Sequence, residues 1–335
     1  MSFKRLDAED FVVSSDSITA TLWSTDTPTL TAFYTSSVQE ASSAGNYYLS
    51  VYQTASTEDT AAVQFDIAYC DSLGSGSEWF NPIVPGNSPS KTIYGQYRTL
   101  ILEDENANFV FGTQNNVVTG SYFWVINFER ARYKESLFPG SLNLTLSGSG
   151  GTIQLTDNSN DVLVNTFIGA SRVYQLVSGS NGSGISGGGY VAGSGSYGLV
   201  FPDLGVILVN PYAVSQSINV APGRNSDTND FNNRKLYAAI NNGASFSINS
   251  QETITSDYIF IRSRNSEFNY SENPSFISGS TGEVIYSNFI NNPQTYVTTV
   301  GLYNDSNELL AVAKLSRPLV KDFTKESLIR VKLDF

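Results

Sequence analysis

Histidine is absent from this 335-residue chain, Met1 is its only methionine and Cys70 its only cysteine. Without histidine there is no base for a Ser-His-Asp relay and the commonest metal ligand is missing. The one side chain that titrates near neutrality without perturbation is missing with it. A single cysteine excludes an internal disulfide and any multi-cysteine zinc site. Cys70 itself reads as a small apolar filler in a strand. Charged residues make up only 15% of the sequence. No apolar run approaches 18 residues, so no helix is expected to span a membrane. The formal net charge of −12 leaves little cation for a phosphate backbone, and nucleic acid is not an expected partner. Residues Met1 to Asp7 lack the apolar stretch of a secretion signal, and the expected place of synthesis and folding is a cytoplasm.

What is abundant points to strands. The chain carries 19 Tyr and 20 Phe, and it is rich in Ser, Thr, Asn and Gly, which suit pleated surfaces and turns. Period-two alternation predicts half-buried strands at Val63 to Tyr69, at Leu142, Leu144 and Leu146, and near the C-terminus. There Ile329, Val331, Leu333 and Phe335 face one way while Arg330, Lys332 and Asp334 face the other. Tyr122 to Ile126 and Tyr258 to Ile261 are apolar on both faces and predict central strands. Tyr296 to Tyr303 and Leu309 to Ala313, joined by Asn304-Asp305-Ser306-Asn307, predict a hairpin. Two short helices are expected. One starts at Ser88-Pro89 and buries Ile93, Tyr94, Tyr97 and Leu100. The other covers Asn233 to Asn242, buries Leu236, Ala239 and Ile240, and stops at Gly243. The fold class expected is mainly β, with β-sandwich-like antiparallel sheets, one or two short helices and two or three domains. The Gly/Ser-rich stretch 178–198 is expected to be a projecting loop, or a segment fixed by a neighbouring subunit. It would separate an N-terminal part, 1–177, from a C-terminal part, 199–335.

Sequence patterns with chemical meaning are weak. Gly182-x-Gly184-x-x-Gly187 has dinucleotide spacing, but the next residues, Gly188-Gly189-Tyr190, start no helix to meet a pyrophosphate. No cofactor is expected. Acidic clusters at Asp7 to Asp10, Glu103 to Glu105 and Asp157 to Asp161 hold enough carboxylates for a glycosidase, and Trp23, Trp79 and Trp124 would suit a sugar groove. The blander reading, acids in turns and tryptophans in the core, is preferred, and no enzyme is expected. The Asn/Asp runs 157–161 and 225–230 lack the Gly and Glu of a calcium loop, so no metal is expected either. Arg130, Arg132 and Lys134 alternate as on one strand face. They and the apolar C-terminal residues Ile329, Val331, Leu333 and Phe335 are the candidate interface residues.

The segments Tyr296 to Asp305 and Leu309 to Pro318 resemble a pattern found in virion structural proteins of large contractile-tailed bacteriophages, those of cyanophages in particular. Asn269 to Phe276, Leu236 to Ile240, Ser88 to Arg98 and Arg130 to Glu135 are similar too. The resemblance implies a particle component of the tail or baseplate, assembled in the host cytoplasm and located in the virion. Its partners would be other virion subunits or copies of itself. Alternatives are a neck, head-vertex or decoration protein of the same particle, or a glycan-binding adhesin.

Overall fold

The computed structural model describes residues 4–21, 34–36, 47–52, 59, 62–77, 88–113, 116–185, 188–225, 229–270 and 273–334. In chain order, a 3-10 turn at Ala8–Asp10 leads into β1 (Phe11–Thr21), followed by β2 (Tyr34–Ser36), β3 (Leu49–Tyr52) and β4 (Val63–Asp71). Then come α1 (Pro89–Leu102), β5 (Phe109–Thr113), β6 (Asn116–Gly120), β7 (Tyr122–Phe128) and β8 (Ser136–Leu137). The next strands are β9 (Asn143–Gly148), β10 (Gly151–Asp157), β11 (Thr166–Ile168), β12 (Ser171–Ser180) and β13 (Ser183–Gly184). After β14 (Gly198–Phe201) and β15 (Val206–Val209), the helices α2 (Pro211–Ile218) and α3 (Asn229–Gly243) precede β16 (Phe246–Ser247). The chain ends with β17 (Asn249–Ser263), α4 (Ser287–Asn291), β18 (Thr295–Tyr303), β19 (Leu309–Lys321) and β20 (Ser327–Asp334).

Two compact units form, one from residues 18–252 and one from residues 1–17 with 253–335. The division expected at 178–198 does not occur, because β12 and β14 on either side of that stretch pair with each other in one sheet. Nor is the stretch a projecting loop. Gly182 N–H donates to Thr156 Oγ1 at 2.8 Å and Gly184 N–H to Asp161 Oδ2 at 2.6 Å. Asn210 Nδ2 donates to the carbonyls of Ser194 and Ser196. At Gly189, with φ +73°, a Cβ would lie 2.4 Å from the Ser178 carbonyl oxygen, so glycine is needed for close packing of backbone on backbone.

The larger unit is mainly β. Its principal sheet runs β16-β9-β10-β12-β14-β15-β7-β4-β3-β2, with β11 and β13 also on β12. The central strands are antiparallel and in register, Ile67 opposite Ile126 and Ile126 opposite Ile207. On one face Phe65, Ile67, Tyr69, Trp124 and Ile126 pack with Ala213, Val214 and Ile218 of α2 and Leu236, Ala239 and Ile240 of α3. On the other, Ala68, Cys70, Phe123, Val125 and Leu208 pack with Ile93, Tyr94 and Ile101 of α1 and with Phe109 and Phe111 of the β5–β6 hairpin. Each large aliphatic or Phe side chain among them contributes roughly 1.5–3 kcal/mol on burial. The T-shaped contacts Tyr94–Phe109 at 5.8 Å and Phe109–Phe123 at 4.8 Å add to that.

With both faces covered, β4 is buried along almost its whole length, where alternation alone predicts half burial. Polar groups follow it inside. Tyr69 N–H, at the end of β4, donates to Asn233 Oδ1 of α3 at 2.6 Å, and Trp124 Nε1 donates to the Asn232 carbonyl at 2.9 Å.

The helix expected at Ser88-Pro89 forms with proline in its first turn. Its buried stripe ends on Ile101, two turns on from buried Tyr94, and Leu100 is exposed. The second expected helix forms as α3, with Leu236, Ala239 and Ile240 buried as expected. Two further helices, α2 and α4, bring the described total to four.

The smaller unit is built from the sheet β1-β17-β20, the separate hairpin β18–β19 and short α4. Ile259 faces Val331 and Ile261 faces Ile329 across β17 and β20. The expected hairpin forms, with Leu302 opposite Ala311 and Asn304 and Glu308 closing the turn through three hydrogen bonds.

Candidate functional site

The basic trio does not lie on a strand face. Arg130 to Arg132 form a 3-10 turn directly after β7, with Arg132 N–H bonded to the Glu129 carbonyl. Buried Tyr133 anchors this turn through a hydrogen bond from its hydroxyl to the Leu204 carbonyl at 3.1 Å. The Arg130 guanidinium lies 4.6 Å over the Tyr133 ring and donates to the Tyr133 carbonyl, while Arg132 Nε donates to the Val63 carbonyl at 3.1 Å. Two of the three cations thus fasten the turn to the unit, and Lys134 is exposed.

The C-terminal face is placed differently again. Ile329 and Leu333 are half-buried and Val331 is buried, all three turned the same way on β20. They share a face of the small sheet with Ile259 and Ile261 of β17, Val331 opposite Ile259 and Ile329 opposite Ile261. This face is partly satisfied within the chain. Phe335, the last member of the set, lies outside the described residues, as do Trp23 and Trp79.

Several residues with catalytic potential are engaged in local structure. Trp124 is fully buried in the core. The Asp157 carboxylate accepts from the backbone N–H groups of Gly140 and Ser159, each at 3.0 Å. Asp71, also fully buried, accepts from Arg224 Nε and from Leu73 N–H, both at 2.8 Å. Burial pushes the Cys70 thiol well up, and its Sγ donates to the Phe123 carbonyl, so it is an inert core residue. Gly182 and Gly184 sit at the hairpin between β12 and β13, not at a strand-to-helix turn. Among the described residues no group of three or more Cys, Asp or Glu is placed to hold a metal ion. A shallow groove of about 430 Å³ beside β10, β12 and β13 is lined by Thr152, Gln154, Ser178, Ser180 and their neighbours, none of them charged. No described helix is long and apolar enough to cross a membrane.

What does stand out is the surface of the smaller unit. Of its apolar side chains only Ile259 and Val331 are buried among the described residues, and every other buried apolar residue belongs to the larger unit. Exposed instead are Leu310 at 68%, Leu328 at 67% and Ile290 at 65%, together with Phe11, Val12, Val13, Tyr296, Leu309, Val312 and Phe323. Large apolar side chains left exposed in such number are a feature of interaction surfaces. The β18–β19 hairpin is a sheet of its own, and a two-stranded hairpin alone is at best marginally stable in water. The sequence reasoning missed this surface because period-two patterns show that a face is apolar without showing whether a second layer covers it. The visible signal was the absence of any helical segment after residue 291 to supply that layer.

Comparison with protein-family models, with curated proteins and with solved structures finds no match for the chain.

Proposed function

We propose that this chain is a structural component of a contractile phage tail or baseplate, acting through protein–protein interfaces rather than through chemistry. The observation that carries the reading is the contrast between the two units. The larger has apolar cores on both faces of its sheet; the smaller turns its apolar side chains outward. A unit that buries so little of its own surface gains its apolar contacts from neighbours, as obligate subunits do. The aromatic content suits this, since Tyr and Phe are enriched at interfaces. The near absence of sulfur suits a particle that persists outside a cell. The choice of a phage tail rests on the resemblance of the segments at 296–318, 269–276 and 88–98.

The test is mass-spectrometric identification of the chain in purified tails and purified heads. The reading expects the chain in tails at stoichiometric amounts and its absence from heads. Recovery in heads alone would contradict the tail assignment, and absence from both would contradict the virion assignment.

A further inference from the structure

The smaller unit also points to the identity of one neighbour, an inference that rests on the assembly reading and deepens it. β1 and β20 flank β17 and are the outer strands of that sheet among the described residues. Natural outer strands are kept apart by proline, bulges, brevity or charge. β1 has neither the proline nor the brevity. It runs for 11 residues, its sequence holds no proline and one charge, Asp16, and every residue from Phe11 to Ala20 is exposed. β20 carries two cations, Arg330 and Lys332, against one carboxylate, Asp334. Arg330 and Lys332 are exposed on it, flanking the ring of Tyr258 at 5.7 and 5.9 Å. Lys332 Nζ lies 2.9 Å from Asp334 Oδ1. Asp334 first, then Tyr258 and Asp16, hold this ammonium above its ordinary range.

A sheet with an acidic outer strand on one side and a basic one on the other is complementary to itself. We propose that the chain associates with a second copy of itself by sheet continuation, β20 of one molecule lying along β1 of the next. Arg330 and Lys332 of the first copy then meet Asp16 of the second. Backbone N–H and C=O groups on both outer strands complete a ladder, as in strand addition. The exposed apolar residues at the start of β1 and Leu328 on β20 leave water together. Because different surfaces meet, the contact is heterologous and generates a ring if the rotation closes, or a filament if it does not.

Sedimentation velocity on the full chain tests this, with Asp16→Lys and Lys332→Glu as single variants and as a mixture. The wild-type sedimentation coefficient should rise with concentration. Each variant alone sets like charges across the contact and should weaken association by about tenfold or more. An equimolar mixture should restore it, since β1 of the Asp16→Lys variant then lies along β20 of the Lys332→Glu variant, with opposite charges facing again. Restoration also shows that both variants fold. A wild-type chain that sediments as a monomer at every concentration would overturn the proposal, as would a mixture no better than its components. A monomeric chain that is nevertheless recovered in tails would overturn self-association and leave the tail reading standing. A self-associating chain absent from virions would do the reverse.

Discussion

In the smaller unit, Lys321 Nζ donates to Asn269 Oδ1 at 2.9 Å. The same ammonium donates to the carbonyls of Asp322 at 2.8 Å and Asn265 at 3.1 Å, and the residue is fully buried. Three acceptors match the three protons of an ammonium. Asn269 in turn donates to the Asn265 carbonyl at 2.6 Å, so the end of β19 and the segment 265–269 are held by one polar node. With so little apolar burial around it, this node is a principal fastening of the unit.

Lys321→Met removes the donor and leaves three oxygens without it, at a cost of about 2 kcal/mol or more. Limited proteolysis should then cut within 265–270 faster than in the wild type, with the larger unit unaffected. Equal cutting rates would show that the node does not hold the segment.

The strands of both units were legible because alternation survives wherever one face is apolar. β9 alternates in burial as its leucines predict, and β20 does the same with Ile329 and Val331. Partners across the sequence were not legible. Nothing local to Val63–Asp71 shows that α1 covers one face and α3 the other, so Gln64 and Asp71 could not be foreseen as buried. α2 does carry a local signal. Asn210-Pro211 repeats the pattern of Ser88-Pro89, and the Asn210 side chain accepts from Tyr212 N–H as an N-cap. Arg130, Arg132 and Lys134 imitate a strand face only because a 3-10 turn can also carry charges two apart. The exposed surface of the smaller unit depends on what is missing around it, which no local pattern encodes.

Two glycines should respond in opposite senses to alanine. Gly95 lies inside α1 with nothing within 4 Å of an added Cβ, so Gly95→Ala should stabilise the larger unit by roughly 0.5–1 kcal/mol through helix propensity. Gly243 ends α3 against β9, where a Cβ would sit 1.9 Å from the Thr145 carbonyl oxygen. Gly243→Ala should destabilise by about 1–3 kcal/mol as the helix end is pushed off the sheet. Urea unfolding midpoints should move up for the first and down for the second. The same sign for both would contradict this packing.

Stability should vary with pH in a direction set by individual carboxylates. Burial holds the Asp157 carboxyl above its ordinary range, against the opposing pull of its hydrogen bonds from Ser159 and Gly140. A carboxylate whose folded pKa is raised binds its proton more readily folded than unfolded. Its contribution is most favourable below the unfolded pKa and is lost as pH rises through the folded one. Asp203 behaves oppositely. Burial raises it, but the stronger combined effect of the Arg172 hydrogen bonds holds it below its ordinary range. Its contribution is present above the unfolded pKa and lost as pH falls through the folded one. Relative to wild type, Asp157→Asn should therefore gain stability as pH is raised from about 4 towards 7. Asp203→Asn should lose ground relative to wild type as pH is raised from about 2 towards 5. Denaturant melts of the two variants at several pH values check both signs, and a flat difference for either would contradict its assignment.

The central claim is that the smaller unit is completed by other molecules, and amide hydrogen exchange on the dilute, monomeric chain tests it most directly. Amides of β4 and β7, enclosed between two layers, should exchange only through global opening. Those of β18 and β19 should exchange faster by a factor on the order of a thousand, and slow markedly once the chain is assembled. Protection of β18 and β19 equal to that of β7 in the isolated monomer would contradict the account.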